Sequence, residues 1–364
     1  MSLQELIRNP GYQLNLLLWM AKDQPEVTEK DMGLVSPFFH KLGFEYQWIE
    51  NPFPLTDDIR LQVNDLPKDS PVRISLAPEP DLVLKRNRDG KGIYLEAKAS
   101  LAATCEKDKQ TRGHLLANGP AFAEVLKPLT ESLLCYVLPE SDRDAMRQKL
   151  DVLTQELAGM GFRPGKSSVH GFSVEGNKIV YHWDAPFAQH VGNLGRKRQE
   201  AIFTALEDGN EPIHLLLVYS IEDYPRQEYC DYYREAFLRR VQQALICDMR
   251  QGTEAIDGGY VLITDTLLMH ATDKVFNYLG KKRQRELRHL VRANFFCRIE
   301  GHYKGKNPEM LRREDGRLIF LFGSVAEREE FIDWLERLDF KNIEVPPLAD
   351  GLPLFESAGV PVPE

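Results

Sequence analysis

Apolar and polar positions in the first 140 residues change from helical spacing to strand spacing and back. Apolar residues recurring every three or four positions predict a helix over residues 1–23 and another from the Thr28 N-cap to about His40. Strand-like runs then alternate with polar helical segments. The predicted strands are Phe44–Ile49, Asp81–Lys85, Ile93–Lys98 and Leu133–Leu138, and the helical segments are Glu106–Asn118 and a second one ending near Glu131.

The remaining chain alternates in the same way, although its elements are less distinct. The pattern predicts the helices Asp142–Met160, Tyr229–Arg250 and Val325–Leu338, with a basic helical stretch before the last of them. It also predicts the strands Asn177–Trp183, His214–Tyr219, Tyr260–Thr264 and Leu318–Phe322.

These elements predict an α/β protein with a mixed sheet and a second α/β region towards the C-terminus. We expect an N-terminal domain over residues 1–140, in which residues 50–79 form an irregular, proline-rich insertion with a short strand near Val72–Leu76. A second domain would cover residues 141–344. Residues 345–364, with five prolines, are expected to be a tail without a core of its own.

Composition is that of a globular protein, with 43% hydrophobic and 28% charged residues. No apolar run approaches the length of a membrane span, so we expect no membrane partner. Five dispersed cysteines without a C-x-x-C pair argue against a zinc cluster or a disulfide framework and favour the cytoplasm.

Charge is unevenly distributed along the chain. The net charge is −9, yet residues 270–317 contain thirteen Lys and Arg against six Asp and Glu. A basic face on an acidic protein is compatible with nucleic-acid binding, and a solvated helix face is the alternative. The candidate phosphate-binding residues are Lys281, Lys282, Arg283, Arg285 and Arg288, together with Arg196, Lys197 and Arg198 at a predicted helix start.

The strand around Glu96 carries the strongest chemical signal. Side chains alternate across a strand, so Glu96 and Lys98 share one face with Tyr94, while Leu95 and Ala97 turn to the other face. An apolar face can pack under a helix. A carboxylate and an ammonium group are then left one pleat apart on the opposite face.

A second carboxylate, Asp81, begins the preceding strand, and a hairpin connection would bring it near Glu96. Two adjacent carboxylates repel unless a cation lies between them, and Mg²⁺ or Mn²⁺ is the natural occupant. The Lys98 ammonium group would orient or help to deprotonate an attacking water. The alternative interpretation is an ordinary ion pair on an exposed strand, with Pro80-Asp81 as a turn.

Pro80-Asp81, followed by Glu96-Ala97-Lys98, resembles the motif of the PD-(D/E)xK nuclease superfamily, which includes many restriction enzymes and junction resolvases. The core of that superfamily runs αβββαβ, with Asp on the second strand and E-x-K on the third. Residues 28–138 have the same predicted order. The resemblance therefore implies a restriction-endonuclease-like core over about 110 residues and does not extend to the C-terminal half.

The resemblance also implies roles for individual residues. Asp81, Glu96 and Lys98 would be catalytic, and Asp81, Glu96 and Ala97 would bind the metal. Glu29, or less favourably Glu26 or Asp31, would supply another acid from the first helix. Gln110 matches a polar residue on the helix after E-x-K. In some relatives a tyrosine follows four positions later, where this chain has His114.

The sequence thus predicts a Mg²⁺-dependent endonuclease that hydrolyses phosphodiester bonds of DNA, with RNA not excluded. Restriction or defence against foreign DNA is the first biological expectation and repair the second. The alternative is a catalytically silent subunit of nuclease fold that binds nucleic acid or scaffolds a complex. A protein partner or a homodimer is compatible with either.

Overall fold

Seven strands of the N-terminal part form one mixed sheet whose spatial order follows the chain, β1 to β7. Strands β1, β2 and β3 pair antiparallel, β3, β4 and β5 pair parallel, and β5, β6 and β7 pair antiparallel. Their bounds are Phe44–Ile49, Leu82–Arg86, Lys91–Ala97, Glu131–Pro139, Ser167–Glu175, Lys178–His182 and Gln199–Thr204.

The computed structural model describes residues 2–23, 35–67, 70–99, 105–118, 131–192, 194–205, 227–251, 259–306, 311–314 and 317–340. The chain divides into two compact units. Unit 1 holds residues 1–214, 222–225 and 278–280, and unit 2 holds 215–221, 226–277 and 281–364. The predicted boundary at residue 140 therefore falls inside unit 1, because β5, β6 and β7 continue the same sheet. The predicted tail, residues 345–364, lies outside the described residues.

Short and medium-length helices accompany the sheet in unit 1. In its described part they are α1 (Leu3–Leu6), α2 (Pro10–Met20), α3 (Phe38–Lys41), α4 (Asp57–Asn64), α5 (Cys105–Ala117), α6 (Arg143–Gly159) and α7 (Ala185–Val191), with a 3-10 turn at Glu140–Asp142.

Unit 2 has its own three-stranded antiparallel sheet, in the order β8-β10-β9, made of Gly259–Leu262, Arg317–Leu321 and Leu311–Glu314. Its described helices are α8 (Gln227–Gln251), α9 (Thr264–Ala271), α10 (Lys281–Val291), α11 (Cys297–Lys306) and α12 (Val325–Glu336), with a π-helical segment at Arg292–Phe296 and a 3-10 turn at Val275–Tyr278. No helix in the described ranges is long and apolar enough to cross a membrane.

The core of unit 1 lies between the sheet and the two crossover helices α5 and α6. Tyr94 of β3 and Tyr136 of β4 are buried there against Leu115 of α5 and Leu150 of α6. Helix α2 packs on β2, β3 and β4 as well. Parallel strands joined by crossover helices are typically covered on both faces, and this arrangement explains why β3 and β4 are almost continuously buried.

Several predicted elements differ from the structure. The predicted helix over residues 1–23 is two helices, because Asn9 caps a new helix with Pro10 at its first position. The helix expected to end near His40 is helical only over Phe38–Lys41 in its described part. Ser36 precedes Pro37, which disfavours helical backbone, and its N–H instead donates to the Ile202 carbonyl of β7 (2.6 Å).

The proline-rich stretch 50–79 contains the helix α4 rather than the strand predicted near Val72–Leu76. Strands β5 and β7 were not predicted, and β9 lies where a basic helical stretch was expected. The predicted strand His214–Tyr219 lies outside the described residues.

Candidate functional site

Asp81 and Glu96 lie opposite each other at the edge of the large sheet that is formed by the start of β2 and the end of β3. Leu82 of β2 pairs with Leu95 of the antiparallel strand β3, so Asp81, the residue before Leu82, lies opposite Glu96, the residue after Leu95. The Ala97 N–H donates to Asp81 Oδ2 (2.6 Å), and this bond fixes the Asp81 carboxylate at the end of β3. The register that the sequence left open is therefore the one that brings the two acids together.

Lys98 contacts Glu96, and its charge also acts on Asp81. Its Nζ donates to Glu96 Oε1, while Glu96 Oε2 has no hydrogen-bond partner among the described residues. The side chain of Glu96 is 3% exposed and that of Lys98 is 29% exposed. The expected sharing of one face by Glu96 and Lys98 is thus observed. That face is covered rather than open, however, because α5 packs over β3 and β4.

Backbone contacts anchor Lys98 just past the end of β3. Its N–H donates to the Val137 carbonyl of β4 (2.8 Å). Its carbonyl accepts from Gln13 Nε2 of α2 (3.1 Å), and the same amide group donates to Ile7 O (2.6 Å). Helix α2 therefore holds the main chain at the position where the Lys98 side chain leaves the strand.

Charge at this edge is unbalanced towards acid. Burial raises the pKa of Asp81 well above its ordinary value, and the negative charge of Glu96 raises it further, while Lys98 opposes both effects. Burial acts to lower the pKa of Lys98, but the charges of Glu96 and Asp81 outweigh it and leave the pKa raised. Lys98 is therefore an ammonium group at neutral pH, and one ammonium group does not neutralise both acids.

Glu50 is a third acid at this edge that the sequence analysis missed. Ile49 of β1 pairs with Leu82, so Glu50 follows beside Asp81, and its N–H donates to the Asp81 carbonyl (3.2 Å). Glu50 is 8% exposed, and its charge also raises the pKa of Asp81. Its φ of 45° is uncommon for a residue other than glycine. The sequence signal that could have identified Glu50 is its position as an acid directly after the predicted strand Phe44–Ile49.

His114 of α5 reaches the buried side of the same site. Its Nδ1 lies 3.7 Å from Glu96 Oε2, and the ring is packed edge-on against Tyr94 (5.3 Å between centroids) and stacked on Tyr136 (6.3 Å). Burial lowers the pKa of His114 to about 4, although the charge of Glu96 acts in the opposite direction. The imidazole is therefore neutral at neutral pH.

The donor set fits a hard divalent cation. In the described ranges no group of three or more His, Cys, Asp and Glu side chains could hold a metal by itself. Mg²⁺, however, is often bound through one or two carboxylates plus water and substrate phosphate. Asp81 and Glu96 offer two carboxylates, and Oε2 of Glu96 has no hydrogen-bond partner among the described residues.

The two assisting residues implied by the resemblance are not brought to this cluster by the described structure. Glu29, like Glu26 and Asp31, lies outside the described residues. Gln110 is on α5 as expected, but its side chain is exposed. The residue of α5 that contacts Glu96 is His114, one turn later.

The predicted phosphate-binding residues of unit 2 lie on α10 and divide into two groups. Arg288 forms a two-bond ion pair with Asp265 (2.7 and 2.8 Å) and lies over Phe276, and Arg283 pairs with Glu286 (2.7 Å). The other three are exposed and make no ion pair with a described residue. They are Lys281, Lys282 and Arg285.

Arg196, Lys197 and Arg198 do not begin a helix. Gly195 has a φ of 56°, and the segment is an exposed turn that leads into β7. Lys197 pairs with Glu200 (2.8 Å), and Arg198 donates to the Gly195 and Lys197 carbonyls. The absence of a helix N-terminus removes the reason given for a phosphate site here.

Comparison of the chain with protein-family models, with curated proteins and with solved structures found no match.

Proposed function

We propose that the chain is a metal-dependent endonuclease whose reaction takes place at Asp81, Glu96 and Lys98. One observation carries the proposal. Two carboxylates from adjacent strands converge beside a single ammonium group, and one oxygen of the more buried acid has no hydrogen-bond partner in the described structure. A surface ion pair does not have this arrangement, because Glu96 is buried.

The order of elements supports the proposal. Strands β1, β2 and β3 are antiparallel, α5 follows, and β4 returns parallel to β3. Asp81 immediately precedes β2, and Glu96 is the penultimate residue of β3. This matches the arrangement expected from the resemblance to PD-(D/E)xK nucleases, and we propose a restriction-endonuclease-like core on these grounds.

Each residue would have a distinct task in hydrolysis. Asp81 and Glu96 would hold Mg²⁺ or Mn²⁺. The backbone N–H of Ala97 donates to Asp81 Oδ2 and fixes that carboxylate beside Glu96. The bound ion would act as a Lewis acid towards the scissile phosphate and lower the pKa of an attacking water. Lys98, which is partly exposed, would turn from Glu96 to the substrate, orient the water and offset negative charge in the transition state.

DNA is the proposed substrate, with a role in restriction or defence ahead of repair. In unit 2, the exposed ammonium and guanidinium groups of Lys281, Lys282 and Arg285 are available for phosphate contacts, because they are not committed to ion pairs within the described structure. Arg283 and Arg288 are less suited, since each already has a carboxylate partner.

A plasmid-nicking assay tests the proposal. Wild type should nick supercoiled DNA with Mg²⁺ and not with EDTA, and Glu96→Gln and Lys98→Met should each lose this activity. Lys91→Met is the matched control, because Lys91 is on the same strand, is similarly exposed at 27% and pairs with Glu131 away from the site. Tight binding of DNA without cleavage in Mg²⁺ or Mn²⁺ would instead favour the non-catalytic subunit.

A further inference from the structure

His114 occupies a position where packing alone would favour an apolar residue. Its side chain is 1% exposed, and the neighbouring Leu115 and Leu116 fill the same core. Its Nε2 has no hydrogen-bond partner among the described residues. Burying an unsatisfied polar atom destabilises a fold, so a residue of this kind calls for an explanation beyond packing.

The opposite nitrogen, Nδ1, faces two oxygens. It is hydrogen-bonded to the Tyr136 hydroxyl (3.4 Å) and lies 3.7 Å from Glu96 Oε2. Tyr136 also hydrogen bonds with the Thr111 side chain, one turn earlier on α5. Glu96 Oε2 has no such second partner in the described structure. Movement of a few tenths of an ångström would bring Nδ1 into hydrogen-bond distance of the carboxylate.

A neutral imidazole suits this place for a chemical reason. One ring nitrogen carries a proton and can donate it to a carboxylate oxygen, yet the ring adds no positive charge. Lysine or arginine at this position would compete with a divalent cation for Glu96. A neutral donor orients the carboxylate and leaves its charge for the ion.

We propose that His114 is a positioning residue, which donates its Nδ1–H to Glu96 Oε2 and holds that carboxylate in place when Lys98 leaves Oε1 for the substrate. The inference rests on the proposed function, because it assigns His114 to the same site. It concerns cation binding by the free protein, so it is tested separately from DNA cleavage.

The test uses two substitutions of nearly equal size. His114→Gln keeps an N–H donor, whereas His114→Met has a similar length and no donor. Binding of Mn²⁺ to the full chain, without DNA, is measured from the electron paramagnetic resonance signal of the free ion. We expect His114→Met to weaken Mn²⁺ binding about 10- to 100-fold, which is the range for lost partners of metal ligands, and His114→Gln to stay within a few-fold of wild type.

Thermal unfolding in EDTA separates orientation from folding. His114→Met should unfold at or above the wild-type temperature, because it removes a buried unsatisfied nitrogen. Equal Mn²⁺ affinity of His114→Met and wild type, or an equal loss in both variants, would overturn the positioning role and leave the proposed function intact. Failure of the wild type itself to bind Mn²⁺, with Glu96→Gln behaving identically, would overturn the proposed function and the role of His114 together.

Discussion

Removing the positive charge of Lys98 should both destabilise unit 1 and increase its response to Mg²⁺. Lys98→Met keeps most of the aliphatic length of the side chain but deletes the ammonium group that donates to Glu96. Glu96 then remains as a buried carboxylate at 3% exposure without its cation. We therefore expect a cost larger than that of losing a surface ion pair.

The size of the effect follows from the burial of the two partners. Exposed pairs contribute about 0.2–1 kcal/mol, and breaking a fully buried pair costs about 3–5 kcal/mol. Lys98 is 29% exposed, which places this pair between those limits at roughly 2–3 kcal/mol. For a unit of about 200 residues this corresponds to a decrease of the unfolding temperature by about 4–12 °C.

Lys91→Met provides the matched comparison on the same strand. Lys91 is 27% exposed, but its partner Glu131 is 37% exposed, and the two atoms are 3.6 Å apart. Lys91 Nζ also donates to the His190 carbonyl (2.8 Å), so its loss should cost about 1–2 kcal/mol, which is less than for Lys98 because no buried carboxylate is left without its cation. Calorimetry of both variants and the wild type in EDTA measures the difference directly.

Addition of Mg²⁺ then distinguishes a cation site from an ordinary ion pair. Saturation at 100 times Kd stabilises a fold by about 2.7 kcal/mol. Lys98→Met should gain more from Mg²⁺ than the wild type, because Lys98 no longer occupies Glu96, while Lys91→Met should gain only as much as the wild type. The reasoning is refuted if Lys98→Met unfolds at the temperature of Lys91→Met in EDTA, or if Mg²⁺ stabilises all three proteins equally.

Three further predictions follow from the same structure. Asp81→Asn should raise the unfolding temperature in EDTA, because burial and the charge of Glu96 disfavour the charged Asp81 carboxylate. It should also abolish cleavage, because it removes a proposed metal ligand; an unfolding temperature below that of the wild type would contradict the stability argument. Burial lowers the pKa of His114, His170 and His190 to about 4, so the folded protein keeps these histidines neutral while the unfolded chain protonates them below pH 6.5. Each should therefore contribute a loss of stability of roughly 2 kcal/mol between pH 7 and pH 5, and a chemical-denaturation midpoint that stays constant over this range would exclude it. Replacing the three exposed cations of α10 by glutamine should make the slope of log K against log salt concentration for DNA binding less steep by about 2–3, because each phosphate contact contributes about 0.9 to that slope. Arg283→Gln should leave the slope nearly unchanged, because Arg283 is already paired with Glu286. The three are Lys281, Lys282 and Arg285.

The strands and the helix around the candidate site could be predicted from the sequence, because each is indicated by a pattern of neighbouring residues. Alternation around Glu96 and a turn at Gly90, where φ is 68°, define the β2–β3 hairpin within a few residues. Short-range patterning also located β1, α5 and β4. The face shared by Glu96 and Lys98 follows from strand geometry alone.

Other features of the candidate site depend on packing between residues that are distant in the sequence, and local patterns do not predict them. The burial of Glu96 depends on the crossover helix α5, and the position of Glu50 depends on the pairing of β1 with β2. His114 comes to the site because the last turns of α5 pack on Tyr94 and Tyr136. None of these contacts joins residues close in sequence, so no spacing rule predicts them. The missed strands β5 and β7 likewise extend the sheet through pairings distant from the motif.

The same hairpin contains a second ion pair, between the buried Arg86 and the partly exposed Asp89, and its electrostatics differ from those of the proposed site. Arg86 is 2% exposed, its guanidinium forms two bonds with Asp89 (2.9 and 2.7 Å), and its third nitrogen donates to Val191 O (2.7 Å). The Arg86 hydrogen bond lowers the pKa of Asp89, as expected where a pair stabilises the fold.

Asp81, which immediately precedes β2, shows the opposite electrostatics. Its pKa is raised, it lies opposite Glu96 instead of a base, and the ammonium group of Lys98, which opposes the rise, is itself hydrogen-bonded to Glu96. Packing would be better served by a second pair like Arg86 and Asp89, or by apolar residues. A divalent cation between the two carboxylates would relieve an arrangement that opposes folding at neutral pH, and this supports the metal site that we propose at Asp81 and Glu96.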